Sequence, residues 1–205
     1  MPDRPPPLLI VVSGPSGVGK DALLAGMRAR DVEGGGAESF AVPVTMTTRA
    51  PRDGEVDGVD YLFVSAEEFE RRLRGGELLE HAQVYGHSYG VPRSQLREAL
   101  AAERDVIMRV DVQGAATLKQ LMPGALFVFL TPDDPRHLRT RLRERGMDDA
   151  TLRRRLNMAE RELAQREQFA HVVVNVDGDL EGTVERVLEI VEQERARPGR
   201  TPAEV

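Results

Sequence analysis

The apolar residues of this 205-residue chain fall into short unbroken runs, separated by polar stretches with helical spacing. Leu8 to Val12, "DVIMRVDV" (105–112) and "ALFVFL" (125–130) read as strands buried on both faces, since a strand with one solvated face would alternate apolar and polar positions. "HVVVNV" (171–176) reads as a further strand. Leu23, Leu24 and Met27 recur at helical spacing and predict a helix from near Gly19 to about Arg30, ended by the glycines of "EGGGAES". "DPRHLRTRLRERG" and "LRRRLNMAERELAQREQF" read as polar helices, and 180–196 as a last helix. Strands alternating with helices predict an α/β fold built on a doubly wound parallel sheet.

Residues 45–101 break that rhythm. They hold the turn-rich "RAPRDGEVDGVDY", a short helix over 66–74 and "ELLEHAQVYGHSYG", and are expected to form an insertion folded onto a core made of 8–44 and 102–196. Residues 1–7 and 197–205 are expected to be flexible tails, because "ARPGRTPAEV" has too little apolar content to pack. The chain shows neither an internal repeat nor a heptad array.

Composition narrows the functional classes. A hydrophobic content of 40% suits one sizeable core. The net charge of -6 argues against a general nucleic-acid binder. Without cysteine there is no disulfide framework, thiolate metal site or cysteine nucleophile, which suits a reducing compartment. No apolar run approaches the roughly 20 residues of a membrane span, and "MPDRPPPLLIVV" has no basic leader. A cytoplasmic protein without membrane or nucleic-acid partners is expected, with monomer and homo-oligomer both compatible. None of the four histidines has metal-ligand spacing.

Gly14, Gly19 and Lys20 satisfy G-x-x-x-x-G-K between a predicted strand and a predicted helix, the setting in which this pattern is a phosphate loop. Residues Gly14, Pro15, Ser16, Gly17, Val18 and Gly19 would turn backbone N–H groups toward phosphate oxygens, with Lys20 reaching the outer phosphates. Lys20 and Lys119 are the chain's only lysines among many arginines, so residue 20 favours a compact point charge over a planar fork. Asp21 stands where the usual pattern has a hydroxyl that meets Mg²⁺. A carboxylate there either ligates the ion, directly or through water, or complements the helix dipole, and both readings stand. Arg49 and Arg52 lie near a tyrosine in a glycine-bearing turn. Beside a phosphate loop, two guanidinium forks and a phenol suit a second phosphate dianion.

In order along the chain, "GPSGVGK", "TTRAPRDGE", "GVDYLFV", "LLEHAQVYGHSYG", "VDVQGA", "RLRERG" and "VVVN" resemble the guanylate kinases, over about Leu8 to Val191. The resemblance implies a phosphate-loop NTPase core, a GMP-binding insertion, and a helical lid over about 134–159. It also implies phosphoryl transfer from ATP to GMP, and to dGMP, with Mg²⁺. Carried over residue by residue, Arg49, Arg52, Tyr61 and Tyr89 would hold the GMP phosphate, Thr45 and Glu80 would read the base, and Asp111 would serve GMP or, in the outer shell, Mg²⁺. Arg141, Arg145 and Arg155 would close on the phosphates and, with Lys20 and Arg49, neutralise the transferring group. Glu80 fits chemically: guanine offers N–H donors at N1 and N2, whereas adenine has an acceptor at N1 and no donor at C2. Two positions depart from the family pattern, Val91 where Ser or Thr often follows "YG" and Arg109 where an acid often stands two residues before Asp111. Two other readings remain. A ribose 1,5-bisphosphate kinase would account for Asp21 but gives no role to the 47–90 motifs, and a non-catalytic guanylate-kinase-like interaction module would not need Lys20.

Overall fold

The computed structural model describes residues 5–33, 40–84, 86–144, 146 and 148–203, without the side chains of 31–33. Five strands, β1 (Leu9–Ser13), β2 (Phe40–Ala41), β7 (Asp105–Arg109), β8 (Leu126–Pro132) and β9 (His171–Asn175), form a parallel sheet in the order β2-β7-β1-β8-β9. The two-residue period of a strand sorts its side chains to opposite faces. Ile10 and Val12 of β1, with Leu126, Val128 and Leu130 of β8, enter one apolar cluster, while Leu9, Val11, Phe127 and Phe129 enter the other. Helices α1 (Lys20–Glu33) and α7 (Leu180–Arg195) cover the first face through Leu23, Leu24, Met27, Val184, Val187 and Val191. Helices α3 (Arg93–Ala101) and α4 (Val112–Leu121) cover the second through Leu96, Ala99, Ala115 and Leu118.

A second sheet, in the order β4-β3-β6-β5, comprises β3 (Met46–Thr47), β4 (Leu62–Phe63), β5 (Leu78–Val84) and β6 (His87–Pro92). Helix α2 (Ala66–Arg74), capped by the Ser65 hydroxyl accepting from the Glu68 N–H, closes a small third cluster through Phe69, with Met46 and Leu78. Two further helices, α5 (Pro135–Arg143) and α6 (Asp149–Leu163), pack against one another beyond β8.

Strand β9 falls where a further strand is expected, at the sheet edge with Val172 and Val174 exposed. The structure departs from the sequence reading in three places. Helix α1 runs three residues past Arg30. Helices α3 and α4 were not legible as helices: α3 falls inside the expected insertion yet packs onto the core, and α4 begins in a segment read as strand. The expected C-terminal tail returns to the core: Arg200 donates to the Pro6 and Pro7 carbonyls, and Ala203 packs on the second cluster. Backbone acceptors and a single methyl hold it, and these are features that a composition argument does not count.

Candidate active site

The turn from β1 into α1 is built on glycine. Gly14, Gly17 and Gly19 have φ of +138°, +84° and +104°, a region that side chains rarely adopt, and a Cβ on Gly14 would lie 2.2 Å from the Leu130 carbonyl oxygen. The resulting loop wraps Lys20, whose ammonium donates to the Gly14 carbonyl and to the Pro15 carbonyl at 3.2 Å. Burial pushes the Lys20 pKa down, while Glu162, Asp21 and Asp111 oppose the shift.

Two residues outside the motif hold the loop. Asn175, buried at the end of β9, donates to the Val18 carbonyl at 2.7 Å and accepts from the Thr183 hydroxyl at 3.0 Å. Glu162 of α6 accepts the Ser16 N–H at 3.2 Å. Sequence reasoning gave neither a role. Asn175 was present only as the last letter of "VVVN", and Glu162 looks like an ordinary helix-surface acid until α6 is seen to lie over the loop.

Arg141 of α5 also reaches the loop. It donates to the Val18 carbonyl at 3.3 Å and forms an ion pair with Asp177. It borders an open cavity of about 490 Å³, lined also by Gly17, Gly19, Asn175, Val176 and Gly178. Arg155 lies half-buried on α6, two helical turns before Glu162 and so on the same side of that helix. Arg145 lies outside the described residues.

The second sheet gathers the other predicted residues. Strand pairing sets Thr47 beside Tyr89, and Glu80 beside Val91, while Thr45 accepts the Leu62 N–H through its carbonyl next to Tyr61. Arg49 lies 5.3 Å from the Tyr61 ring centroid, with Tyr89 close by, and pairs with Glu55 at 2.8 Å. The other Glu55 oxygen accepts the Arg52 N–H at 2.8 Å. Glu55 thus ties together the two arginines of the turn, a role visible only in the structure. The Arg52 guanidinium itself is exposed.

Glu80 is 7% exposed, and no hydrogen bond or ion pair holds its carboxylate among the described residues. Burial, with a contribution from Asp111, pushes its pKa up to about 7. Gly114 backs it: a Cβ there would lie 2.6 Å from Glu80 Oε1. Asp111 caps α4, accepting the Gly114 N–H at 2.7 Å through Oδ1.

The two departures from the family pattern resolve differently. Val91 is buried in the second core cluster and serves packing. Arg109 turns toward the site, its Nε 2.7 Å from Asp21 Oδ1 and its Nη2 3.4 Å from the Tyr61 hydroxyl. Asp21 and Asp111 therefore each commit one oxygen, to Arg109 and to the α4 cap. No group of three or more His, Cys, Asp or Glu side chains among the described residues could hold a metal ion alone. No helix among them is long and apolar enough to cross a membrane.

The arrangement is thus a backbone anion cradle with one ammonium, facing a lobe with an arginine–tyrosine cluster and an unpaired buried carboxylate. A family model described as guanylate kinase matches residues 7–194. A guanylate kinase of Latilactobacillus sakei is 41% identical over 194 residues, covering 94% of this chain and 92% of the relative. The rice protein named guanylate kinase 2, chloroplastic/mitochondrial, is 42% identical over 195 residues, and the match covers 94% of this chain but 66% of the rice protein. The crystal structure of guanylate kinase from Anaplasma phagocytophilum matches with a TM-score of 0.75 at 32% identity, over 96% of this chain and 90% of that one. A family model over residues 7–194 and that degree of identity along nearly the whole chain show that this chain belongs to the guanylate kinase family and has its phosphate-loop NTPase fold.

Proposed function

We propose that the protein transfers the terminal phosphoryl group of ATP to GMP, giving ADP and GDP. The observation that carries this reading is Glu80, a buried carboxylate without a protein partner, standing in the lobe opposite the phosphate loop. Burying an acceptor without a donor is costly unless a ligand supplies one, and the N1 and N2 hydrogens of guanine are such donors. Neither alternative reading is favoured, since ribose 1,5-bisphosphate has no base for Glu80 to meet and a peptide-binding module would not need the Lys20 cradle.

The geometry supports the following division of labour. Gly14 to Lys20 would hold the ATP phosphates, and the cavity beside Arg141 and Asn175 would take the rest of the donor. Within the insertion, 45–101, Arg49, Arg52, Tyr61 and Tyr89 would hold the GMP phosphate, with Thr45 and Glu80 on the base and Asp111 behind them. The segment 134–159, with Arg141, Arg145 and Arg155, would act as the lid. Phosphoryl transfer asks little covalent chemistry of the protein, so positioning and charge neutralisation carry the acceleration. The attacking oxygen belongs to the GMP phosphate and is already largely ionised near neutral pH, which removes the need for a general base. Lid closure would keep water from the phosphoryl group.

Asp21 and Asp111, each with one oxygen uncommitted, fit a Mg²⁺ that arrives with ATP and keeps most of its ligands on phosphate and water. When bound, that ion would supply charge neutralisation at the triphosphate oxygens. The activity is tested by offering ATP and magnesium with GMP, AMP or ribose 1,5-bisphosphate in a coupled ADP assay. Turnover with GMP alone is the expected result, and its absence would end this reading.

Gly114→Ala provides a test of Glu80 that leaves the carboxylate in place. Alanine favours a helix by roughly 1 kcal/mol over glycine. The methyl, however, would press on Oε1 from 2.6 Å. Steady-state kinetics should show KM for GMP rising about tenfold, equivalent to about 1.4 kcal/mol of lost binding, with KM for ATP unchanged. Equal changes in both would point to a general distortion instead.

A further inference from the structure

Arg109 closes β7 opposite Val12 of β1, at the carboxyl edge of the parallel sheet and beside the start of the phosphate loop. Its guanidinium lies 5.7 Å from the centroid of the Tyr61 ring, and Arg49 lies 5.3 Å from that same ring. One aromatic ring of the acceptor lobe is therefore shared by two guanidinium groups, one from the insertion and one from the core. Each carries its own carboxylate: Glu55 for Arg49 at 2.8 Å, and Asp21 for Arg109 at 2.7 Å.

An arginine has five N–H donors. Among the described residues Arg109 is engaged by Asp21 through Nε and by the Tyr61 hydroxyl at 3.4 Å, which leaves most of its fork unmatched. Its side chain is 26% exposed, so a ligand can reach it. The donors that Asp21 and Tyr61 leave open belong to a planar fork, and a fork-shaped cation suits a phosphate. A structural latch would be built with its donors satisfied. Arg109, like Arg49, stands over the Tyr61 ring with one carboxylate partner and with guanidinium donors left open.

We propose that Arg109 is a further contact for the acceptor phosphate, approaching it from the core side, and that Asp21 is the positioning residue that aims it. The proposal rests on the reading of the Arg49–Tyr61–Tyr89 cluster as a monophosphate site. It gives Asp21 a role that does not depend on the metal, and it makes the acceptor phosphate a bridge between insertion and core.

The test is calorimetric titration with GMP and with guanosine, without ATP or magnesium, on the unmodified protein, Arg109→Met, Asp21→Asn and the double variant. Arg109→Met should weaken GMP by about 10- to 100-fold, the range of a charge-assisted hydrogen bond, with guanosine held within about twofold. Asp21→Asn should weaken GMP by a smaller factor, and adding it to Arg109→Met should change nothing further, because Asp21 acts through Arg109. Arg109→Lys keeps the charge but loses the fork and should fall between the two, which provides a second variant if methionine impairs folding. Equal weakening of GMP and guanosine, or none of either, overturns the phosphate contact. Multiplying effects in the double variant overturn the positioning role of Asp21. If the unmodified protein binds neither ligand, the acceptor-site reading itself fails, which is a different result from a neutral Arg109→Met.

Discussion

Lys20→Met is expected to lower kcat for GDP formation by about 10³-fold or more, the scale of losing one preorganised cationic contact to a developing charge. GMP affinity should stay within about twofold. Methionine keeps the length and the apolar stem of lysine, so the loop around it, held by glycines at positive φ and by Asn175 and Glu162, has no steric reason to rearrange. What is lost is the ammonium, which is fastened to the Gly14 and Pro15 carbonyls and surrounded by the negative charges of Glu162, Asp21 and Asp111. Those carboxylates counter the effect of burial, and the ATP phosphates would take the place of the carbonyls as partners. Single-turnover measurement with saturating ATP isolates the chemical step, and GMP calorimetry checks the acceptor lobe. A kcat within tenfold of the unmodified protein would show that the cradle works through its amides alone. Lys20→Arg should be nearly as damaging, because a planar fork does not fit a loop built around a point charge.

The second large effect belongs to Glu80. Replacing it with glutamine keeps its volume but removes the charge and places an N–H₂ where two guanine donors need acceptors. A site built on such hydrogen bonds discriminates by on the order of 10⁴-fold, and most of the GMP preference over AMP, measured as the ratio of kcat/KM values, should disappear. An unchanged ratio would remove Glu80 from base recognition.

The raised pKa of Glu80, about 7, adds a pH signature. The free protein takes up a proton on this carboxyl as pH falls through about 7, whereas guanine needs the charged form. Binding therefore competes with protonation, and affinity falls toward one decade per pH unit below that point and is flat above it. The GMP phosphate titrates nearby, so the clean probe is guanosine, which lacks it. Guanosine affinity should weaken from pH 8 to pH 5.5 in the unmodified protein and stay level in Glu80→Gln. A level profile in both would mean that the carboxylate stays ionised in the empty site.

Much of the phosphate side was legible in advance because its determinants are local. A glycine-rich turn between an apolar run and a helix can be read within ten residues, and β1, the loop and the start of α1 follow the reading closely. The acceptor lobe was legible only as residues. "TTRAPRDGE" and "LLEHAQVYGHSYG" identify Arg49, Glu80 and Tyr89, yet the short strands that bring them together are two to seven residues long, and their pairing depends on partners up to 44 positions away. Helix α4 was missed for a related reason. Its start at Asp111 is a cap that also faces Lys20 and Glu80, and nothing in the spacing of "VDVQGA" distinguishes a strand that continues from one that turns into a helix.

The sequence by itself determined the alternation of buried strands and helices, the cradle and its single lysine, and the family, because each is written in contiguous residues whose backbone preferences and burial pattern act over one or two turns. Tertiary structure alone decided that Asn175 and Glu162 hold the loop, that Gly114 supports Glu80, and that Asp21, in the place of the usual phosphate-loop hydroxyl, and Arg109, in the place of a family acid, are one ion pair. Those contacts join residues 34 to 157 positions apart. Charge and shape complementarity across such separations come from the packing of sheet and helices, and no local preference in the chain encodes them.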